Sequence, residues 1–153
     1  MDYAGKAEEL MKSGLNCAQA VAGAFGDLVG EDISQPALLK LASPFGGGFA
    51  RKRDLCGAVS GMGMAYGLIF GTNTPEERMG TYEKAAALAD RFADRYGTLV
   101  CRELLDKKPE LSVTPRDPEW TDEEMKNYNW PCIDYVRGAA QIFSEYLKEQ
   151  GII

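Results

Sequence analysis

The segment LCGAVSGMGMAYGLIFG, residues 55–71, decides the fold class of this chain. It has no charged residue, and its glycines at 57, 61, 63, 67 and 71 recur in four-residue steps that place them along helical faces. Each interior glycine costs a helix about 1 kcal/mol relative to alanine, so a neighbour must require the close approach. The segment therefore predicts a buried central helix that packs tightly against another helix.

A membrane span is the alternative interpretation of this segment, because its 17 residues reach the lower limit for crossing a bilayer. No second apolar segment occurs in the chain, and tight packing inside a protein explains the glycines better. We therefore expect a packed helix and no membrane partner. The same small-residue face is compatible with a homodimer.

Upstream of this segment, helical spacing predicts three helices, and no sustained alternation typical of strands occurs. The three are Tyr3–Lys12, Cys17 to about Val29 under an Asn16 cap, and a short helix from Pro36 to Ala42. The glycine-rich residues 43–50 predict a loop whose backbone can approach a neighbour closely. Asp54, which follows the basic residues 51–53, is expected to cap the central helix.

Downstream, Thr74-Pro75-Glu76-Glu77 combines a capping box with a proline at the first helical position, and it predicts a helix from Pro75 to about Tyr96. Gly97 interrupts that helix, and residues 98–106 are expected to form a bent or separate turn. Residues 107–120 are polar and contain three prolines, which predicts a surface excursion. A capping box at residues 121–124 predicts a short helix, and the last helix is expected over residues 132–149. The chain is thus predicted to be an all-α, single-domain bundle of about five to six helices over residues 1–153.

Composition limits the classes of function that the chain can have. Its 23 acidic and 17 basic residues give a net charge of -6, which provides no basic surface for nucleic acid or an anionic membrane. The first residues, MDYAGKAEELMKSG, lack the basic start and apolar run of a secretion signal, so we expect a cytoplasmic location. The absence of histidine excludes Cys-His nucleophile pairs and mixed cysteine-histidine zinc sites. Thiols are then the best candidates for chemistry.

The four cysteines, Cys17, Cys56, Cys101 and Cys132, contain no Cys-x-x-Cys pair, so their spacing alone gives little support for a metal. Cys17, Cys56 and Cys132 each fall in a predicted first helical turn, where free N–H groups and the helix dipole lower a thiol pKa. The basic residues 51–53 could add to this at Cys56. The alternative is that all four are small buried hydrophobic residues.

The string Cys56-Gly57-Ala58-Val59-Ser60-Gly61 resembles the hexad of the bacterial and archaeal C_GCAxxG_C_C family, assigned to redox chemistry without an established substrate. The resemblance extends over nearly the whole chain. It includes the preceding triple glycine, an early Asn16-Cys17 and two later lone cysteines. Here the hexad begins Cys-Gly, whereas the family name has Gly-Cys. The resemblance implies redox or metal chemistry, with Cys101 and Cys132 as the last two of the family's cysteines.

Three functions remain open from the residues. The first is reversible dithiol/disulfide chemistry centred on Cys56, as in a thiol oxidoreductase, with no cofactor and an unidentified redox partner or small molecule as the other reactant. In this hypothesis Cys17 and Cys132 are the preferred partners. Gly57 and Gly61 open one side of the helix so that a bound group could sit close, and Ser60, one turn on, could donate a hydrogen bond to the Cys56 sulfur. The second is an iron-sulfur cluster or zinc held by Cys17, Cys56, Cys101 and Cys132. The third is a structural protein with buried cysteines.

Overall fold

Helices dominate the part of the chain that the computed structural model describes, residues 1–107, 121, 123 and 132–153. Eight α-helices lie in these ranges, and the only strand-like contact among them is an isolated antiparallel bridge between Leu55 and Val100. The predicted all-α class is confirmed, with more helices than expected. In chain order they are α1 (Tyr3–Lys12), α2 (Cys17–Ala24), α3 (Gly26–Val29), α4 (Gln35–Ala42), α5 (Gly57–Phe70), α6 (Arg78–Tyr96), α7 (Cys101–Asp106) and α8 (Ile133–Glu149).

The second predicted helix is shorter than expected. It begins at Cys17 under the predicted Asn16 cap but ends at Ala24, and the chain continues as the separate short helix α3. The side-chain amide of Gln35 donates to the carbonyl oxygen of Gly23 at 3.2 Å, which satisfies a carbonyl at the end of α2. The same side chain occupies the space that a Cβ at residue 26 would need. Packing by Gln35 of α4 therefore accompanies the break after Ala24. The helical spacing within α2 did not predict this break.

The central helix α5 packs against α2 through two of its glycines. A Cβ placed on Gly61 would lie 2.5 Å from the carbonyl oxygen of Ala18 and 3.0 Å from the Cβ of Val21. Gly63 and Gly67, on the other side of α5, have nothing within 4 Å of such a Cβ. The predicted close crossing is therefore confirmed for one face of the helix, whereas the other face is open.

The start of α5 differs from the expectation. Asp54 does not cap the helix, because Leu55 pairs with Val100 and the helix begins only at Gly57. Cys56 consequently occupies the N-cap position. This correction moves the hexad cysteine from inside the first turn to the residue just before it.

The helix predicted from Pro75 starts as a 3-10 turn over Pro75–Glu77, and the α-helix α6 follows it. The hydroxyl of Thr74 donates to the carboxylate of Glu77 at 2.8 Å rather than capping the backbone. At the other end Gly97 has a left-handed backbone, with φ of 88°, which ends the helix as predicted.

Aromatic side chains connect α1 and α8 in the larger of two buried clusters within the described ranges. Phe25 is fully buried, stacks on Tyr3 of α1 with a centroid distance of 4.5 Å, and meets Phe143 of α8 edge-on at 4.8 Å. The predicted stripe on α8 is buried from Val136 to Leu147. None of the helices in the described ranges combines the length and apolarity that a bilayer crossing requires. Most of the excursion predicted over 107–120 and most of the short helix predicted after Thr121 lie outside the described residues.

Candidate functional site

All four cysteines lie at the N-terminal ends of helices. Cys17 and Cys101 are the first residues of α2 and α7, and Cys56 and Cys132 are the N-cap residues of α5 and α8. The sequence predicted this placement for three of them and left Cys101 in an undefined turn. The break at Gly97 and the β-propensity of Leu99 and Val100 were the signals for a new helix start at 101.

The four cysteines border one cavity of about 480 Å³. Its volume falls in the usual range for a small-molecule site. Met11, Leu104, Leu105 and Tyr135 contribute apolar wall, whereas Asn16, Arg51 and Arg53 contribute polar groups. Ser43, Pro44 and Arg51 also border it and are exposed, so the cavity opens to solvent beside the glycine-rich loop. Residues far apart in the chain thus form a single site.

The capping box of α2 places Cys17 at the cavity. Asn16 accepts from the backbone N–H of Gln19 at 3.0 Å, and its own amide donates to the carbonyl oxygen of Ser43 at 2.9 Å. One side chain therefore begins the helix and also ties it to the loop that follows α4. The Cys17 sulfur is held against the backbone of Gly57, where an added Cβ would overlap it. This contact gives a physical reason for glycine directly after Cys56 in this chain.

The backbone joins Cys56 to Cys101 by a short antiparallel pairing. The N–H of Cys56 donates to the carbonyl oxygen of Leu99 at 2.8 Å, and the N–H of Cys101 donates to that of Asp54 at 2.6 Å. Two cysteine-bearing helix starts are thereby fixed side by side. This is the structural role that Asp54 has instead of the predicted cap.

The glycine-rich loop has an unusual left-handed backbone. Residues 47 to 51 all have positive φ, with values of 67° at Phe49, 48° at Ala50 and 64° at Arg51, and Arg53 has 65°. Such conformations cost about 1–3 kcal/mol at non-glycine residues and are concentrated at functional sites. Gly48 is required for a second reason, because a Cβ there would lie 2.6 Å from the Cβ of Cys101. The loop therefore packs tightly against Cys101 at the edge of the cavity.

The basic residue in contact with a cysteine sulfur is Arg53, and that sulfur is Cys101 rather than the predicted Cys56. The guanidinium of Arg53 donates to the sulfur of Cys101 at 3.9 Å. Arg51 also borders the cavity, whereas Lys52 does not line it and is exposed. The basic cluster thus contributes two arginines to the site, and the one in contact with a sulfur faces Cys101.

The expectation of lowered thiol pKa values is wrong for three of the cysteines. Burial raises the pKa of Cys56 to about 12, although the nearby N–H groups of Ala58 and Val59 act in the opposite direction. Burial also raises the pKa values of Cys17 and Cys132. Helix N-termini do favour the thiolates here, but the loss of water around the sulfurs has the larger effect.

The three remaining site predictions fall in different places. Gly57 lines the cavity, as expected for a residue next to a bound group. Gly61 packs against α2, so its role in the fold is the helix crossing described above. Ser60 is half-buried, its backbone N–H donates to the carbonyl oxygen of Cys56 at 3.1 Å, and it is not part of the cavity wall.

A family model described as "Putative redox-active protein (C_GCAxxG_C_C)" matches residues 15–146 of the chain. The chain belongs to the C_GCAxxG_C_C family. The match includes all four cysteines, and it covers most of the cavity wall, from Asn16 to Tyr135. No curated protein and no solved structure matches the chain. The C_GCAxxG_C_C description therefore supports redox activity in general terms. The cavity that the four cysteines border is the candidate site for it.

Proposed function

We propose that this protein carries out reversible dithiol/disulfide exchange between Cys17 and Cys56 in the four-cysteine cavity. The observation that carries the proposal is the position of the Cys17 sulfur against the backbone of Gly57, the residue next to Cys56. A disulfide requires its two Cα atoms to lie within about 7 Å, and neighbouring positions at two packed helix starts suit that limit. Family membership supports redox chemistry of this kind.

Electrostatics agree with this pair without singling it out, because Cys17 also raises the pKa of Cys132 and Cys101 raises the pKa of Cys17. After burial, the negative charge of a Cys17 thiolate is the largest contribution that raises the pKa of Cys56. Two thiolates this close would repel each other, which helps to keep both sulfurs protonated in the reduced site. The cysteines are free thiols in the structure, which corresponds to the reduced form.

The reaction balances with a disulfide RSSR as the oxidant. One cysteine thiol attacks RSSR, forms a mixed disulfide and releases one RSH, which takes up the proton of the attacking thiol. The second cysteine then attacks the mixed disulfide, closes the Cys17–Cys56 bond and releases a second RSH. Two thiols are oxidised and one disulfide is reduced to two thiols.

Burial determines how the reaction is controlled. With a pKa of about 12, Cys56 exists as thiolate in only about one molecule in 10⁵ at pH 7, so the reduced site is protected from indiscriminate oxidation. The described part of the cavity wall contains no carboxylate and no lysine that could act as a base. The incoming disulfide must therefore approach closely and supply the proton acceptor, because its leaving thiolate takes up the proton.

The test is a count of thiols and a map of the bond. Reduced protein is exposed to excess hydroxyethyl disulfide, quenched, unfolded, alkylated and digested for mass spectrometry. We expect the four free thiols to fall to two, with one peptide pair joining Cys17 to Cys56. Cys101→Ser is the matched control, since it should still form the bond, whereas Cys17→Ser and Cys56→Ser should not. Four thiols unchanged after oxidation, or a bond between other cysteines, would contradict the proposal.

A second candidate is an iron-sulfur cluster held by the four thiolates. The observation that favours it is the convergence of four helix N-termini, each bearing a cysteine, on one cavity large enough for a bound group. Four thiolates are the usual ligands of such clusters, and when bound a cluster would supply one-electron transfer. Single-ion zinc fits less well, because within residues 1–107 and 132–153 no three cysteine or carboxylate groups are arranged to hold one ion. Iron, sulfide and visible absorption in anaerobically purified protein would decide between the cluster and the dithiol.

A further inference from the structure

Two arginines at the cysteine cavity have no acidic partner in the part of the chain that the structure describes. Within the described ranges, the ion pairs join Lys6 to Asp27, Lys12 and Arg137 to Glu8, and Arg91 to Glu149. Arg51 and Arg53 border the cavity instead, and the one side-chain hydrogen bond of Arg53 goes to the sulfur of Cys101. Unpaired guanidinium groups beside a cavity are ready to bind an anion, since each presents a planar fork of donors that fits a carboxylate.

The backbone holds both arginines in this position at some cost. Arg51 and Arg53 each have positive φ, in a loop whose N–H groups at 51 and 53 are bonded to the carbonyl oxygens of Gly46 and Gly47. A strained conformation persists only where its surroundings enforce it. Here the enforced conformation places two positive side chains at the opening of the cavity.

The negative charge of the whole chain makes the two arginines at the cavity a distinct site for anions. The chain carries a net charge of -6, so an anion is repelled by most of its surface. Among the residues that the structure describes, the cavity wall contains no carboxylate, and its two charged groups are both arginines. The site is thus a local positive region in an acidic protein.

We propose that the cavity accepts a small disulfide that carries carboxylates, which Arg51 and Arg53 bind while its sulfur-sulfur bond is presented to the cysteines. This proposal rests on the proposed function and names the class of its oxidant. The exchange is the balanced one given above: the protein dithiol becomes a disulfide, and the bound disulfide leaves as two carboxylate-bearing thiols. The cavity volume of about 480 Å³ is suited to a molecule of this size.

The experiment compares three small disulfides of different charge: glutathione disulfide, which is anionic, hydroxyethyl disulfide, which is neutral, and cystamine, which is cationic. The second-order rate of oxidation of the reduced protein is followed by quenched alkylation. We expect the anionic probe to react fastest, and its rate to fall with added salt because charge attraction is screened. In the double variant Arg51→Gln, Arg53→Gln the anionic probe should slow by about fivefold, with little change for the neutral one.

Two further variants separate charge from structure. Lys52→Gln removes a neighbouring positive charge that does not line the cavity, so the charge preference should stay as in the natural chain. Arg51→Lys with Arg53→Lys keeps the charges, and it should restore most of the preference if the double Gln variant loses it.

The outcomes distinguish the two proposals. If none of the three probes oxidises the protein, the dithiol function fails. If all three oxidise it at equal rates, or if Lys52→Gln changes the preference as much as the arginine variants do, the dithiol function stands and the carboxylate-bearing disulfide is wrong.

Discussion

Replacing Gly61 with alanine should destabilise the protein, although alanine is the better helix former. The new Cβ would lie 2.5 Å from the carbonyl oxygen of Ala18, 3.0 Å from the Cβ of Val21 and 3.1 Å from the backbone nitrogen of Ala22. Two of these atoms are backbone, so they cannot rotate away, and the two helices must separate. Overpacking of this kind costs about 1–3 kcal/mol, whereas the gain in helix propensity is about 1 kcal/mol. The free energy of unfolding should therefore fall by up to about 2 kcal/mol.

Gly63 provides a matched control in the same helix. An alanine Cβ at that position would have nothing within 4 Å, so only the propensity term remains. Gly63→Ala should therefore raise the free energy of unfolding by about 1 kcal/mol. The two substitutions make the same chemical change two residues apart and are expected to act in opposite directions.

Urea unfolding followed by circular dichroism measures both effects. A reductant must be present so that the cysteines stay as thiols throughout. A change of 1 kcal/mol corresponds to a shift of about 2–4 °C in the melting temperature of a chain of this size, which thermal scans resolve. Equal stabilisation by both alanines would refute the close crossing of α2 and α5.

Two further predictions concern the cysteine cavity. Because burial raises the pKa of Cys56 to about 12 from 9.0, the folded protein retains a proton that the unfolded chain releases. The contribution of Cys56 to the free energy of unfolding should therefore be constant below about pH 9 and fall as the pH rises toward 12. Cys56→Ala should make the decline of stability above about pH 9 less steep in reductant-containing urea titrations. Asn16→Ala removes the cap of α2 and the hydrogen bond to Ser43, so it should lower the free energy of unfolding by about 1–2 kcal/mol. The same change should speed the alkylation of Cys17 by iodoacetamide. An unchanged alkylation rate would show that the cap does not protect that sulfur.

Much of the fold could be predicted because local signals decide helix starts and stops. The cap at Asn16 and the glycine at 97 mark boundaries by hydrogen bonds and backbone freedom that lie within a few residues of each other. The break after Ala24 was missed, and the Gln35 side chain that packs at the break comes from another helix. The start of α5 was misplaced for a similar reason, since Leu55 pairs with Val100 across a gap in sequence of more than forty residues.

In the candidate site, too, local features could be predicted from the sequence, whereas effects of distant segments could not. The sequence identified all four cysteines, and it placed three of them at helix N-termini from capping patterns alone. It predicted low pKa values there, because the helix dipole is a local effect that can be read from position. The raised pKa of Cys56 depends on how many atoms from other helices exclude water from its sulfur, and no local pattern reports that.

The sequence by itself determined that this protein is helical, that its cysteines are the best candidates for chemistry and that a tightly packed helix lies within residues 55–71. Each of these follows from composition or from spacing along a few turns. Only the tertiary structure decided that the four cysteines share one cavity, that Arg53 contacts Cys101 rather than Cys56, and that two glycines of the central helix pack while two remain open. Those facts depend on which helix faces meet, and that is determined by the whole core rather than by any one segment.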